Sequence, residues 1–128
     1  MNLKLHELVA LHYELNGIDK VSKGLLAQKM PMKLKIFLHR ISKMTADEYK
    51  LYQEQQLEVF KTYGYQVENG YKLYDENRKI ADKEIREFLE AEKEIDVKPF
   101  WGEANIVELI EQVETEEYYP VLYKLIGI

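Results

Sequence analysis

The sequence has no cysteine, only two serines (Ser22 and Ser42), three prolines and one tryptophan. Without cysteine there can be no disulfide, no thiolate zinc site and no cysteine nucleophile. Neither serine lies in a nucleophile-elbow motif. The glycines Gly17, Gly24, Gly64, Gly70, Gly102 and Gly127 are scattered singly, so no glycine-rich phosphate loop exists. No apolar run approaches the ~18–20 residues that a membrane span needs. Glu7 falls where a secretory leader would be apolar, so no export leader is expected.

What is present is a folded-protein composition: 128 residues, 46% hydrophobic, 32% charged and 12% aromatic. That length suits one domain over residues 1–128 with a core of useful size. The net charge of −5 conceals an asymmetry. Residues 1–44 carry eight basic side chains against three acidic ones, and residues 45–128 carry ten against twenty. Either the basic end meets an anionic partner, or basic and acidic elements lie against each other within the domain; the second reading is preferred.

One stretch organises the rest. From Pro31 to Gly64, apolar residues at Leu34, Phe37, Leu38, Ile41, Met44, Tyr52, Val59, Phe60 and Tyr63 describe a long amphipathic helix. Pro31 suits its first turn. Thr45-Ala46-Asp47-Glu48 matches a capping box, but the same residues sit comfortably inside a helix, and continuity is expected. From Tyr49 onward the tyrosines and Leu51 widen the apolar surface, which predicts contact on two sides.

Before it, Asn2-Leu3-Lys4-Leu5 alternates as a short strand, and Leu5, Leu8, Val9 and Leu15 share a helical face interrupted by His12. Val21, Leu25 and Leu26 have helical spacing weakened by Gly24. After it, Asn69-Gly70 between two strand-like runs predicts a type I′ hairpin with Tyr65 opposite Tyr74 and Val67 opposite Lys72. Asp75 or Asn77 is expected to cap a helix from about Arg78 to Glu94, with Ala81, Ile85, Phe88 and Leu89 inward and a solvated charged face that includes Glu84. Ile95-Asp96-Val97-Lys98 alternates as a third strand ended by Pro99. A Trp101-Gly102 turn precedes a helical face of Ile106, Leu109, Ile110 and Val113. Thr115 is then expected to cap a last short helix that docks Val121, Leu122, Leu125 and Ile126. The fold class is α+β, predominantly helical, with a long central helix and a small antiparallel sheet made of the hairpin plus one or two short strands.

Candidate chemistry is sparse. His6, His12 and His39 have no metal-ligand spacing, and His12 reads as an ordinary half-buried histidine. The glutamates interleave with Lys and Arg as a solvated face does, which nominates no acid/base pair. No catalytic residue, metal ligand or cofactor is assigned. Lys29, Lys33, Arg40 and Lys43 form the best nucleic-acid stripe. Against it stand the single arginine, the absence of Asn or Gln on the stripe and the acidic whole, so a solvated surface is favoured. Tyrosine is abundant at ten residues, nine of them after the basic half. Tyr65, Tyr71 and Tyr74 crowd the hairpin and, with Tyr52 on the long helix, are the candidate protein-binding residues, because tyrosine buries area while keeping a polar tip.

Several stretches in order carry a family resemblance. Leu26-Ala27-Gln28-Lys29-Met30-Pro31-Met32-Lys33 opens a long charged helix that Lys61-Thr62-Tyr63-Gly64 closes. An Asn-Gly-Tyr hairpin, Asp75-Glu76-Asn77 before an acidic helix, the Glu94-Ile95-Asp96-Val97 strand and an apolar C-terminal helix follow. This order resembles a group of small proteins encoded by tailed phages and prophages of Gram-positive bacteria. The departures are the longer Lys-rich segment before Pro31 and the Trp101-Gly102 turn. The resemblance implies a non-enzymatic protein-binding role in virion or tail assembly or structure, or else an anti-host or anti-defence factor. It places the protein in the host cell cytoplasm or the virion. The alternative is a nucleic-acid-associated accessory protein using the Lys-rich 20–43 segment. Self-association into a homo-oligomer through the long helix is a natural form of the binding role, and no membrane is involved.

Overall fold

The computed structural model describes residues 1–100, 105–115 and 117–127. Strand β1 (Asn2–Lys4) runs directly into helix α1 (Leu5–Asn16). After a loop and a short 3₁₀ turn at Leu25–Ala27 comes the long helix α2 (Met32–Tyr63). Strands β2 (Gly64–Val67) and β3 (Gly70–Leu73) form the hairpin. Helix α3 (Arg78–Leu89), strand β4 (Glu92–Glu94) and two short helices, α4 (Ile106–Glu111) and α5 (Pro120–Ile126), complete the chain. The fold is α+β and mostly helical. Its strands divide into two separate antiparallel pairs, β1 with β4 and β2 with β3.

The core gathers around the first half of α2. Leu34, Phe37, Leu38 and Ile41, spaced three and four apart, face Leu8, Leu11 and Leu15 of α1. Ile106 and Ile110 of α4 and Leu122, Leu125 and Ile126 of α5 close the same cluster. Each fully buried aliphatic side chain there contributes about 1.5–3 kcal/mol of transfer free energy. Beyond Thr45, only Val59 of α2 is buried. Its second half is braced by α3, which turns Ala81 inward, and by the hairpin at its end.

The helix is continuous through Thr45. That side chain is fully buried and donates to the Ser42 carbonyl at 3.0 Å, so it works inside the helix and not as a cap. Pro31 stands one residue outside α2, as the extended residue before it. The expected two-sided cover of the second half is incomplete. Leu51 and Leu57 are 43% and 42% exposed, because α3 and the hairpin leave the outer side of α2 bare.

Four local expectations are corrected. The third strand is Glu92–Glu94, not Ile95–Lys98, with Asn2 opposite Glu94. The backbone bonding to the N-terminal chain reaches only one residue further, where the Ile95 amide donates to the Met1 carbonyl at 2.8 Å. Ile95 and Val97 alternate because both are buried in the core. Helix α3 stops at Leu89, and the Leu5 amide donates to the Ala91 carbonyl at 2.9 Å as the chain turns into β4. Tyr119, not Thr115, precedes α5, with Pro120 at its first turn; Thr115 instead receives the Glu117 amide and contacts the Tyr119 hydroxyl. Val21 is 78% exposed and belongs to a turn closed by the Ile18–Ser22 bridge. The Trp101-Gly102 turn lies outside the described residues.

Candidate interaction surfaces

The hairpin grows straight out of α2, and its register is set from that end. Tyr74 donates its amide to the Tyr63 carbonyl at 3.2 Å, and the Asn77 side chain donates to the same oxygen at 3.1 Å. The Tyr63 hydroxyl donates to Glu84 of α3 at 2.6 Å, and that hydrogen bond holds the Tyr63 phenol above its usual pKa. Glu84 is therefore half-buried and engaged rather than free on a solvated face. These anchors place Tyr65 opposite Lys72 and Val67 opposite Gly70. The turn is Glu68-Asn69, and Gly70 takes the positive φ of 143° that the Asn-Gly reading had shared between two residues. The difference is a slip of two along one strand, so every side chain keeps its face.

Tyr65 and Tyr74 become diagonal neighbours, with ring centroids 4.9 Å apart and planes tilted by 41°. They are 41% and 45% exposed. Tyr71 lies on the other face, half-buried, with the Lys61 ammonium 6.0 Å from its ring centroid. Tyr52 is not part of this group. Its ring lies 6.1 Å from Phe88 of α3 and 6.3 Å from Tyr49, roughly 16 Å back along α2 from Tyr63 by helix rise. It packs α2 against α3.

Lys33, Arg40 and Lys43 are all exposed on the outer side of α2, and Lys29 is exposed in the segment before Pro31. None of the four pairs with a carboxylate among the described residues. Met32, 67% exposed, and Ile36, 46% exposed, lie among them.

Two arrangements involving α1 were not foreseen. His12 of α1 stacks on Tyr49 of α2 at 4.7 Å and 16°, with Nδ1 3.3 Å from the Thr45 hydroxyl. Burial lowers the His12 pKa. Beside it the Tyr13 hydroxyl donates to that of Tyr49 at 2.9 Å, a contact that with burial pushes the Tyr13 phenol up to about 12. The second arrangement is an open groove of about 500 Å³ walled by Tyr13, Glu14, Ile18, Val21, Glu117 and Tyr118. Glu117 accepts from Ser22 at 3.0 Å and from Tyr119 at 3.1 Å, which ties the 18–22 turn to the C-terminal segment. Their partners lie far apart in sequence, so no local pattern pointed to either.

Among the described residues, no group of three or more His, Asp or Glu side chains is arranged to hold a metal ion. No described helix is long and apolar enough to cross a membrane. Compared with known proteins, the chain matches no family model, no curated protein and no solved structure.

Proposed function

We propose that this is a protein-binding protein that works by presenting the hairpin and the outer side of α2 to a partner. The observation that carries the reading is the Tyr65–Tyr74 pair: two large amphipathic rings held in contact on a two-stranded ribbon, each more than two-fifths exposed. A pre-ordered aromatic pair loses little side-chain freedom on docking, which is why such residues dominate the energetics of protein interfaces. The order of elements supports a phage setting, with action in particle or tail assembly or against a host protein, in the host cytoplasm or the virion. Replacing Tyr65 and Tyr74 together by alanine should abolish capture of that partner while leaving the helical fold intact. Unchanged capture would remove the hairpin from the reading.

A second reading is a nucleic-acid accessory role for Lys29, Lys33, Arg40 and Lys43, favoured by their exposure and lack of carboxylate partners among the described residues. It requires retardation of DNA or RNA that weakens steeply with salt. No retardation at low salt would dispose of it.

A further inference from the structure

The outer side of α2 carries a repeating arrangement of which the fold uses only the end, where Lys61 lies over the Tyr71 ring. Ile36, Lys43, Asp47, Lys50, Glu54, Leu57 and Lys61 are spaced three, four or seven apart, so they follow one line along the helix surface. All seven are exposed. The four central charges alternate in sign, yet none of them forms an ion pair within the chain among the described residues. Ile36 and Leu57, near the two ends of this line, are 46% and 42% exposed.

We propose that this line is the seam of a two-fold dimer in which α2 packs antiparallel against α2 of a second copy. Turned end for end about a point between Glu48 and Tyr49, the line complements itself. Lys43 then faces Glu54 of the second copy, and Asp47 faces its Lys50. His39 faces its Glu58, and Ile36 faces the stem of its Lys61, one turn from its Leu57. Each contact occurs twice, as a two-fold interface requires. An antiparallel pair also sets the positive end of one helix dipole beside the negative end of the other. The helix is 32 residues long, roughly 48 Å, which gives the seam room for all of these pairs.

The chemistry selects a second copy over other anionic or apolar partners. Asp47, Glu54 and Glu58 lie on or beside the same line as the lysines, so a phosphate backbone or an anionic lipid surface meets repulsion along half its length. The inference rests on the protein-binding reading above and gives it the self-association expected of the long helix. The outer side of α2 goes to a second copy, and the hairpin stays with the external partner.

Sedimentation equilibrium at low salt tests it with the whole chain. The protein should associate reversibly to twice the mass of one chain. Lys43→Glu should weaken the dimer about tenfold or more, since two attractions become two repulsions. Glu54→Lys alone should do the same. The two single variants mixed in equal amounts should associate within about threefold of the wild type, because only the mixed pair restores both contacts. These positions are exposed, so helix content should not change. A single-chain mass at every concentration up to millimolar would overturn the inference. So would a mixture no stronger than its separate components. Neither outcome bears on Tyr65 and Tyr74.

Discussion

The carboxylate of Glu14 and the backbone amide of Leu122, 108 residues apart in the chain, meet at 3.0 Å. The other Glu14 oxygen accepts from the Val121 amide at 3.1 Å. A helix start leaves its first N–H groups without partners, and here Pro120 removes one of them while a side chain from α1 satisfies the next two. Two turns back on α1, Glu7 pairs with Lys124 near the other end of α5 at 2.7 Å. Helix α1 thus grips α5 at both ends: the Glu14 carboxylate meets the positive end, and Glu7 holds Lys124, the cation in the last turn of α5.

Removing the first grip should loosen the C-terminal helix. Glu14→Ala should cost about 1 kcal/mol, the usual cost of losing an N-terminal cap. The amides of Val121 and Leu122 should lose hydrogen-exchange protection first. Denaturant melts and exchange of those two amides check it, and unchanged protection would refute the grip.

The two glutamates should respond oppositely to pH. Burial raises the Glu14 pKa above 4.5, so the folded state holds its proton more tightly than the unfolded chain. Its contribution to stability falls as pH rises through that raised value. The hydrogen bond from Lys124 lowers the Glu7 pKa, so its contribution is present above pH 4.5 and is lost as pH falls through the lowered value. Glu14→Gln should therefore remove a decline above pH 4.5, and Glu7→Gln a decline below it. Stability against pH for the two variants separates the cases.

His12 gives a third signature. Its pKa is lowered from 6.5 by burial, so the unfolded chain takes up a proton before the folded one does. Stability should fall as pH drops below 6.5, and His12→Gln should flatten that slope. An unchanged slope would assign it to other groups.

Gly64 is required by close approach. A Cβ there would lie 2.2 Å from the Lys72 carbonyl and 2.6 Å from that of Phe60, both backbone atoms. Gly64→Ala should cost about 1–3 kcal/mol and disturb the hairpin more than the core. Exchange protection of β2 and β3 against that of α1 measures the contrast.

The long helix was legible because its 32 residues contain no glycine or proline and keep helical apolar spacing, and the capping-box match at Thr45 fits a helix interior equally well. The hairpin was legible in kind but not in register. Asn-Gly signals a turn locally, whereas the bonds to the Tyr63 carbonyl that set the pairing depend on Asn77 and α3. Val97 shows how alternation reports burial without reporting strand pairing, because of the expected strand only Ile95 bonds to the N-terminal chain, at Met1. The end of α3 was missed because Glu90 to Glu94 contains neither glycine nor proline, and only pairing with β1 draws the chain out of the helix. Of the candidate surface, Tyr65, Tyr71 and Tyr74 could be placed on the hairpin from sequence. Tyr52 was misgrouped, because its neighbour Phe88 is 36 residues away. The bare line on α2 was hidden for a related reason: periodicity marks the side a helix buries, while exposure of Leu57 depends on where α3 and the hairpin stop covering the helix.

The central claim is that the protein acts through the surface built by its hairpin and long helix. Affinity capture from the infected host that the proposed phage setting implies, comparing the wild type with Tyr65→Ala/Tyr74→Ala and with Tyr118→Ala, tests it most directly. Tyr118 is 73% exposed but stands apart from the hairpin, which makes it the control. The account predicts a partner held by the wild type and by Tyr118→Ala and lost from the double variant. Recovery of the same proteins by all three would contradict it.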